Sequence, residues 1–398
     1  MPAAIQGLRG TGEFDVDFRP KNYRELFTLL EPNGTAPLNA LLAMGSSEST
    51  DDPEYKNFRD ELPDRKLKAA AAVASASTGT VTLTASDDNK YAIKGAIVIS
   101  AATGEVMHVT ADTTGTTLTV TRNIGGTTFQ IAEDDEFFVA GYAAMEGDVT
   151  PTPISFDATV ATNYTQIFRT AFAVTGTLDA TRLRTGSKMQ EAMTKALKLH
   201  MSDIERAMFF GRKHEANGST AQPTRYTGGV LTQLSNVVDV PSDIGTSNTT
   251  GVMTEEQFDD LLITSIFKYG SKQKLAFVGT NVANHLQQFG KDRWSPSQME
   301  NTYGVNITRY HTFAGDLMVH LHPQFRQVPG MADAMVILDF PYITYRYLQG
   351  RDTSLLRDRQ GNGEDSTKHE YLTECGLELI QDKVHAYITN WKLRKAAA

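Results

Sequence analysis

Cysteine is almost missing from this sequence, since Cys375 is the only one in 398 residues. A framework of internal disulfides is therefore excluded, and a reducing compartment is favoured. Long apolar runs are missing too, because none approaches the ~20 residues that a helix needs to cross a bilayer. The N-terminal residues also lack the apolar core of a secretory signal. We therefore expect no membrane partner.

Positive charge is in deficit, with 38 Lys and Arg residues against 47 Asp and Glu residues. The formal net charge is -9, and the sequence has no basic tail. Such a surface repels polyanions, so extensive binding to nucleic acid is disfavoured, although the protein can lie close to DNA without gripping it. The other proportions, with 40% hydrophobic residues, are those of a globular protein large enough for two or three cores.

Motifs for nucleotide binding and nucleophilic catalysis are absent from the sequence. The glycines of "GLRGTG" at 7–12 have the wrong spacing for a dinucleotide site and follow no predicted strand. No Gly-x-Ser-x-Gly elbow is present. Cys375 falls inside a predicted strand, where a packed side chain is favoured over a nucleophile. We expect no catalytic residue, no cofactor-binding residue and no enzymatic function.

Two groups of residues raise the question of a metal site. His320 and His322 would point to one face of a strand, and His311 could face them across a hairpin. No carboxylate or cysteine at ligand spacing joins them, so a polar strand is the favoured interpretation. The acidic run 133–136 lacks an EF-hand pattern and is interpreted as a solvated turn. We expect no metal site.

The sequence predicts that the first part of the chain is an arm followed by a β module. Residues 1–50 are extended with one short helix, and 51–65 form a charged connector. In 69–146, Thr, Val and Ile alternate in short runs that Gly and Asp punctuate. This pattern predicts a small antiparallel barrel or sandwich with one face of each strand inside. The predicted inward positions are Val81, Leu83, Ile97, Ile99, Val106, Leu118, Val120, Phe129, Ile131, Phe137 and Val139.

Two amphipathic helices follow. The first spans 187–210, with a capping box from Ser187 and Gln190 and a stop at Gly211. Its apolar stripe consists of Met189, Met193, Ala196, Leu197, Ile204, Ala207 and Met208. The second begins with a capping box from Thr254 and Gln257. Strands and one further short helix complete the chain, so an α+β fold is predicted.

The order of these parts resembles the major capsid proteins of tailed bacteriophages, which have the HK97-like fold. Several stretches are similar to the SU10-type subgroup: "NYTQIFRTAFAVTGT", "DIERAMFFG", "VTRNIGGTT", "AGYAAMEGD" and "YHTFAGDLMVHLHP". Each motif alone is weakly specific, but their order and spacing together are fairly specific. The resemblance covers most of the chain.

The resemblance implies a division into named domains. Residues 1–50 would be the N-terminal arm, and 51–165 the E-loop, a long hairpin that lies over a neighbouring subunit. The β module at about 69–146 would be inserted in the E-loop, where loop tips tolerate added mass. Residues 166–235 and 368–398 would form the peripheral domain with a spine helix at 187–210. Residues 236–367 would form the axial domain.

The resemblance also implies function and partners. The chain would be a structural protein that self-assembles through hexamers and pentamers into an icosahedral head enclosing double-stranded DNA, without sequence-specific contact. Portal and scaffolding proteins would be partners, scaffolding would come from another protein, and a cement protein is possible. Assembly would take place in the host bacterial cytoplasm. The β insertion would link neighbouring subunits.

Two other functions stay open from the sequence. An encapsulin-like nanocompartment shell shares the fold but holds cargo enzymes. A surface adhesin would explain the β module but neither the spine helix nor the missing signal peptide. For the capsid function, we expect inter-subunit contacts from aromatic and arginine side chains in the arm, the E-loop and the axial domain: Phe14, Phe18, Tyr23, Arg59, Arg65, Arg122, Arg293 and Trp294.

Overall fold

A computed structural model describes residues 37–38, 47–75, 79–126, 128–181, 187–217, 222–244, 250–289 and 308–392. The strands in these ranges are β1 (Ser47–Thr50), β2 (Glu54–Arg59), β3 (Lys66–Lys68), β4 (Thr80–Thr82), β5 (Ala96–Ser100), β6 (Val106–Val109), β7 (Thr117–Thr121), β8 (Glu136–Tyr142), β9 (Thr159–Tyr164), β10 (Gln166–Thr175), β11 (His214–Ala216), β12 (Thr224–Tyr226), β13 (Val237–Asp239), β14 (Gln273–Val278), β15 (Thr308–His311), β16 (Asp316–Leu321), β17 (Met335–Leu338), β18 (Ile343–Leu348), β19 (Ser354–Leu356), β20 (Ser366–Leu379) and β21 (Ala386–Thr389).

The α-helices are α1 (Gly176–Ala180), α2 (Lys188–Phe210), α3 (Val230–Gln233), α4 (Val240–Asp243), α5 (Glu255–Leu261) and α6 (Thr280–Phe289). A π-helical turn, Leu262–Ile266, continues α5, and short 3-10 helices lie at Asp87–Tyr91, Pro323–Arg326, Met331–Asp333 and Phe340–Tyr342. Among the described residues, no helix is both long enough and apolar enough to cross a membrane. The chain forms two compact units, one of residues 58–160 and one of the remaining residues.

The unit of residues 58–160 contains a closed six-stranded antiparallel barrel. Its strand order is β3-β8-β5-β6-β7-β4. The ends of this order meet through an antiparallel bridge between Ala69 and Leu83. Backbone hydrogen bonds from Ala70 to Thr82 (2.9 Å) and from Thr84 to Lys68 (2.8 Å) complete the closure. The structure therefore selects the barrel from the two predicted architectures.

The interior of the barrel confirms part of the predicted inward face. Val81, Leu83, Leu118, Val120, Ile131 and Phe137 are buried together, with Val139 packed against them. On β5 and β6, however, the register is the opposite of the predicted one, because Ala96, Val98, Met107 and Val109 point inward. Both faces of "AIVIS" are apolar, so alternation could not decide between them. A small barrel has a narrow interior, which favours the smaller face of β5. Phe129 is exposed, contrary to the prediction.

The long helix α2 packs on a five-stranded sheet in the other unit. This sheet has the order β1-β18-β20-β10, with β19 also paired to β20. His200 of α2 joins the helix to the sheet, because its ring nitrogens lie 3.0 Å from the Thr170 hydroxyl and 2.8 Å from the Thr373 hydroxyl. Burial lowers the pKa of His200, which keeps the imidazole neutral in this contact.

The predicted bounds of the spine helix are confirmed, but its predicted cap is wrong. Ser187 is the N-cap residue, yet its side chain makes no capping hydrogen bond. Gly211 ends the helix as predicted and donates its N–H to Ala207. Of the predicted apolar stripe, Ala196, Ile204 and Met208 are buried, while Met189 and Met193 are half-buried.

A six-stranded mixed sheet has the order β13-β21-β17-β14-β16-β15. One face, including Leu275 and Phe277, packs with α2 residues in the first core, and the other packs with α5 and α6 in a second core. The predicted capping box of Thr254 and Gln257 is confirmed at α5. Beyond the π turn, the buried ammonium of Lys274 donates to the carbonyls of Ile266, Tyr269 and Val384 at 2.6 to 2.9 Å.

The two larger sheets draw their strands from distant parts of the chain, and the predicted domain segments stay a prediction. Strands β18 and β19 fall in the predicted axial segment 236–367, yet they pair with β20 in the five-stranded sheet. Conversely, β21 falls in the predicted peripheral segment 368–398 and pairs with β17 and β13 in the six-stranded sheet. The chain passes between the two sheets more than once. The α+β class is confirmed, and a long helix on a sheet, a second mixed sheet and a closed β barrel are all present.

Candidate inter-subunit surfaces

Five of the eight predicted contact residues lie outside the described residues. These are Phe14, Phe18, Tyr23, Arg293 and Trp294. Arg59 is the half-buried last residue of β2. Arg65 is exposed and left-handed (φ 54°), and its guanidinium lies 5.7 Å from the centre of the Tyr91 ring. A contact of Arg59 or Arg65 with a neighbouring subunit stays a prediction.

Arg122 makes contacts within the barrel unit, and its contact with a neighbouring subunit stays a prediction. Its side chain is 4% exposed and forms a bidentate ion pair with the buried carboxylate of Glu105. The guanidinium also donates to the carbonyls of Ala74 and Phe129, while Phe129 donates its N–H to Glu105. These contacts tie three segments of the barrel unit together.

Electrostatics within this pair favour the ionised state. Burial opposes ionisation of Glu105, but the hydrogen bonds from Arg122 and from the Phe129 N–H outweigh it, so the pKa of this carboxyl lies below its usual value. A buried charge that is paired and fully hydrogen-bonded is tolerated, whereas either partner alone would be strongly destabilising. The pair is therefore structural.

The segments that lead into and out of the barrel expose an unusual number of large apolar side chains. Phe58 is 73% exposed on β2. Strands β2 and β9 form a sheet of only two strands. A two-stranded sheet is marginally stable by itself in water, and exposed apolar groups of this kind mark interaction sites. The exposed apolar residues of these segments are Phe58, Leu62, Met145, Val149, Phe156 and Val160.

We call the two-stranded sheet of β2 and β9 the ribbon. Its base is hydrogen-bonded to the five-stranded sheet. The buried Tyr55 hydroxyl donates to the carbonyl of Leu377, and the Asn57 amide donates to Leu379. Asn163 on β9 donates to Leu377 as well. The ribbon crosses β20 at Gly376, where a side chain would lie 2.5 Å from the Tyr55 hydroxyl oxygen. The ribbon therefore leaves the sheet from a fixed position.

A row of buried glutamates lies along one face of β20. Glu370, Glu374 and Glu378 are four residues apart, so all three point to the same face. Each is paired with an arginine from another segment: Arg169 and Arg359 with Glu370, Arg351 with Glu374, and Arg346 with Glu378. Hydrogen bonds from Arg169 hold the pKa of Glu370 below its usual range. The charges on this face are thus neutralised in pairs.

The histidines considered as metal ligands have other partners. His322 Nε2 lies 3.0 Å from the buried carboxylate of Glu205, and the backbone N–H of Leu38 donates to the same oxygen. His311 contacts Asp316. In the acidic turn, Asp134 pairs with Lys68. Within the described ranges, no group of three or more His, Cys, Asp and Glu side chains is placed to hold a metal ion.

Cys375 lies fully buried in β20. Burial raises the pKa of its thiol to about 12, so the thiolate is scarce at neutral pH and the side chain is unreactive. This agrees with the packed role that the sequence predicts.

Sequence reasoning missed most of the exposed apolar residues. Phe58 and Leu62 lie within "DDPEYKNFRDELPDR". Because this stretch contains many charged residues, it was interpreted as a charged connector. A signal was present, because Tyr55 and Phe58 are large aromatics in an otherwise charged stretch. Phe313, at the turn between β15 and β16, was missed as well and is fully exposed.

Comparison with known proteins gives a match to a family model described as SU10 major capsid protein, over residues 10–392. The chain is 28% identical over 395 residues to the major capsid protein of Pseudomonas phage PaMx41, covering 92% of this chain and 90% of that protein.

Solved structures give weaker likenesses. The capsid of cyanophage A-1(L) is 10% identical with a TM-score of 0.46, over 96% of this chain and 99% of that one. An encapsulin complex from Synechococcus elongatus PCC 7942 is 12% identical with a TM-score of 0.40, over 60% of this chain and 79% of that one. At TM-scores this low, neither likeness decides between the two kinds of shell.

Proposed function

This chain belongs to the SU10 major capsid protein family, and from that premise we propose that it self-assembles, through hexamers and pentamers, into the icosahedral head of a tailed bacteriophage. The head encloses double-stranded DNA. The observation that carries the proposal is the set of exposed apolar residues on the segments that lead into and out of the barrel. Phe58 and Val160 lie on the two strands of the ribbon, and such side chains are stabilised when another subunit covers them.

We propose that the barrel links neighbouring subunits. Because each of its six strands has a neighbour on both sides, it holds its own shape without help from the rest of the chain. The strands that lead to it begin at hydrogen bonds to the five-stranded sheet near Gly376. A self-contained module on such a connection is suited to contact a second copy of the chain.

The charge of the chain supports a weak affinity for the packaged DNA. The net charge is -9, and the arginines of the five-stranded sheet are neutralised by Glu370, Glu374 and Glu378. A surface of this kind gives little affinity for a polyanion, so DNA is enclosed without sequence-specific contact. Portal and scaffolding proteins, and assembly in the bacterial cytoplasm, complete the proposal as properties that go with a tailed-phage head.

Electron microscopy of the purified, assembled chain tests the proposal directly. Closed shells are expected, and particles from infected cells are expected to contain DNA. A chain that remains monomeric at high concentration would contradict self-assembly. Shells that contain protein cargo in place of DNA would favour the encapsulin-like alternative.

A deletion tests the role of the barrel. Residues 66–142 are replaced by a short Gly-Ser turn, which removes the closed unit as a whole. Shells should still form, because both cores of the other unit are left intact. They should disassemble at a lower temperature than wild-type shells. Equal heat resistance would show that the barrel does not link subunits.

A further inference from the structure

The outer surface of the barrel is divided into a polar side and an apolar side. The outward positions of β4 and β7 are occupied by threonine alone. On β5 and β6 the outward residues are Ile97, Ile99 and Val106, together with His108. An antiparallel strand with one face in a core normally directs polar side chains outward. The apolar side of this barrel departs from that pattern, and an exposed apolar surface marks an interaction site.

The strand register makes these apolar side chains neighbours. Phe138 of β8 lies opposite Ile99 of β5, and Ile99 lies opposite Val106 of β6. Residues directly opposite each other on antiparallel strands share a face, with Cβ atoms about 4.5–5.5 Å apart. Phe138 is 42% exposed, and the other two are half-buried. Ile97 lies two residues before Ile99 on the same face. We call Phe138, Ile97, Ile99 and Val106 the apolar face.

A recess lies beside Ile97 on β8. Gly141 stands opposite Ile97, at a register shift where β8 has one residue more than β5. A Cβ atom at Gly141 would meet no atom within 4 Å in the described part of the chain, and the backbone of Gly141 is not left-handed. Neither packing nor backbone conformation within the barrel therefore requires glycine here. A glycine inside a strand weakens it and often marks a place where another group approaches closely.

Phe138 and Gly141 form a projection and a recess on one strand. Both lie opposite outward residues of β5, so they belong to the same face. They are three residues apart, which is about 10 Å along β8. If two copies of β8 face each other and run antiparallel, a two-fold axis midway between these residues places each Phe138 over the Gly141 of the other copy. Such a contact is self-complementary, as a two-fold interface requires.

Charge favours this face over the rest of the barrel unit for contact between copies. In residues 58–160, Asp and Glu outnumber Lys and Arg, so two barrels repel each other in most orientations. Strands β5 and β6 contain no Asp, Glu, Lys or Arg. The acid of β8, Glu136, lies 4.0 Å from the ammonium of Lys66 on β3. Two copies therefore meet at the apolar face without placing like charges against each other.

We propose that the apolar face is a two-fold docking surface between the barrels of two neighbouring subunits, with Phe138 of each copy above Gly141 and Ile97 of the other. Facing sheets lie about 10 Å apart, which leaves room for one layer of interdigitating side chains. The inference rests on the proposed function, since it names the surface through which the barrel links subunits. Each such contact joins two copies, so it adds to the contacts that close the shell and does not replace them.

Cross-linking of assembled particles tests the two-fold contact. Ala140 is exposed between Phe138 and Gly141, close to the proposed axis, so Ala140→Cys should place two thiols near each other. A short bismaleimide should then give covalent dimers and no larger product in a denaturing gel. Thr82→Cys, on the threonine side of the same barrel, is the matched control and should remain monomeric. Cys375 does not compete, because it is fully buried.

The outcomes separate the docking surface from the shell. Normal particles in which Ala140→Cys stays monomeric would overturn the two-fold contact, leave the shell proposal standing and assign the apolar face to a different partner. Equal amounts of dimer from Thr82→Cys would overturn it as well, because the barrels would then meet without a preferred face. If the wild-type chain forms no particles, both proposals fail.

A second measurement fills the recess. Gly141→Val should leave the barrel of the free subunit at least as resistant to protease, because the new side chain meets nothing in its own copy and valine favours strands. In particles it would occupy the place of Phe138 from the other copy. The yield of dimer from Ala140→Cys should therefore fall about tenfold, as for an overpacked contact. Thr82→Val is the control and should leave the yield unchanged. Undiminished cross-linking with Gly141→Val would contradict the inference.

Discussion

The hydroxyl of Tyr55 donates a hydrogen bond of 3.0 Å to the backbone carbonyl of Leu377, joining residues 322 positions apart in the chain. Burial raises the pKa of Tyr55 above its ordinary value, so the hydroxyl keeps its proton and remains a donor. The ribbon that carries the barrel is therefore attached to β20 by a neutral, buried contact that does not depend on salt.

Replacing Gly376 by valine should break this attachment. The new side chain would begin 2.5 Å from the Tyr55 hydroxyl oxygen and 2.7 Å from the carbonyl of Tyr164, so the ribbon must move away. We expect a loss of about 1–3 kcal/mol in the free energy of unfolding, measured by urea denaturation. Gly361→Val, in an exposed loop, is the control. Equal stability of the two variants would show that the contact of the ribbon with β20 at Gly376 does not contribute to stability.

The Glu105–Arg122 pair gives a second prediction. Glu105→Gln removes the charge that a buried guanidinium needs and should destabilise the barrel by about 3 kcal/mol or more. Glu133→Gln, an exposed acid in the same unit, should have little effect. Protease cleavage within 66–142 measures the difference. Because the pKa of Glu105 is lowered in the folded state, its stabilising effect should be present at neutral pH and be lost as acid protonates the carboxyl.

Lys274 gives a prediction about alkaline pH. Burial lowers its pKa from 10.5 to about 8. Between these values the unfolded state binds more protons than the folded state, so the free energy of unfolding should rise with pH, by at most about 3 kcal/mol. Lys274→Met should remove this part of the pH dependence, which denaturation curves from pH 7 to 11 measure. Lys272→Met, on an exposed lysine, is the control. Parallel wild-type and Lys274→Met curves would contradict the assignment.

Glu205 anchors the start of the described chain to the spine helix. Glu205→Met would leave both the Leu38 N–H and His322 Nε2 without their present partner. Each unpaired buried group costs about 1–3 kcal/mol. We expect faster proteolysis near Leu38, detected by mass spectrometry. Asp203→Met, at an exposed position of the same helix, is the control. No change in cleavage would mean that Leu38 is held by its apolar side chain alone.

Local signals in the sequence predicted the elements well. Thr254 and Gln257 form the expected capping box, and Gly211 ends the spine helix, because both signals act within one helical turn. Ser187 shows the limit of such signals, since an N-cap residue does not have to use its side chain. The α+β class followed from the order of these local elements.

Long-range contacts could not be predicted from the sequence. Closure of the barrel depends on Ala69 meeting Leu83, which no periodicity encodes. The inward face of β5 could not be chosen because Ile97 and Val98 are equally apolar. Glu205 joins His322 from 117 residues away, so ligand spacing along the chain gave no hint of that pair. The full exposure of Phe313 is seen only in the structure.

Closure of the barrel has a consequence for crowding. A shell would hold many copies of this module at high local density, and a sheet with unpaired backbone groups would recruit its neighbours into misassembled fibres. Here the Ala69–Leu83 bridge joins the two ends of the strand order, so none of the six described strands is a free edge strand. Recognition between copies is then left to side chains, which can be reversible and corrected during growth. The stability of the module therefore comes from its closed backbone, whereas its association with other copies depends on its surface side chains.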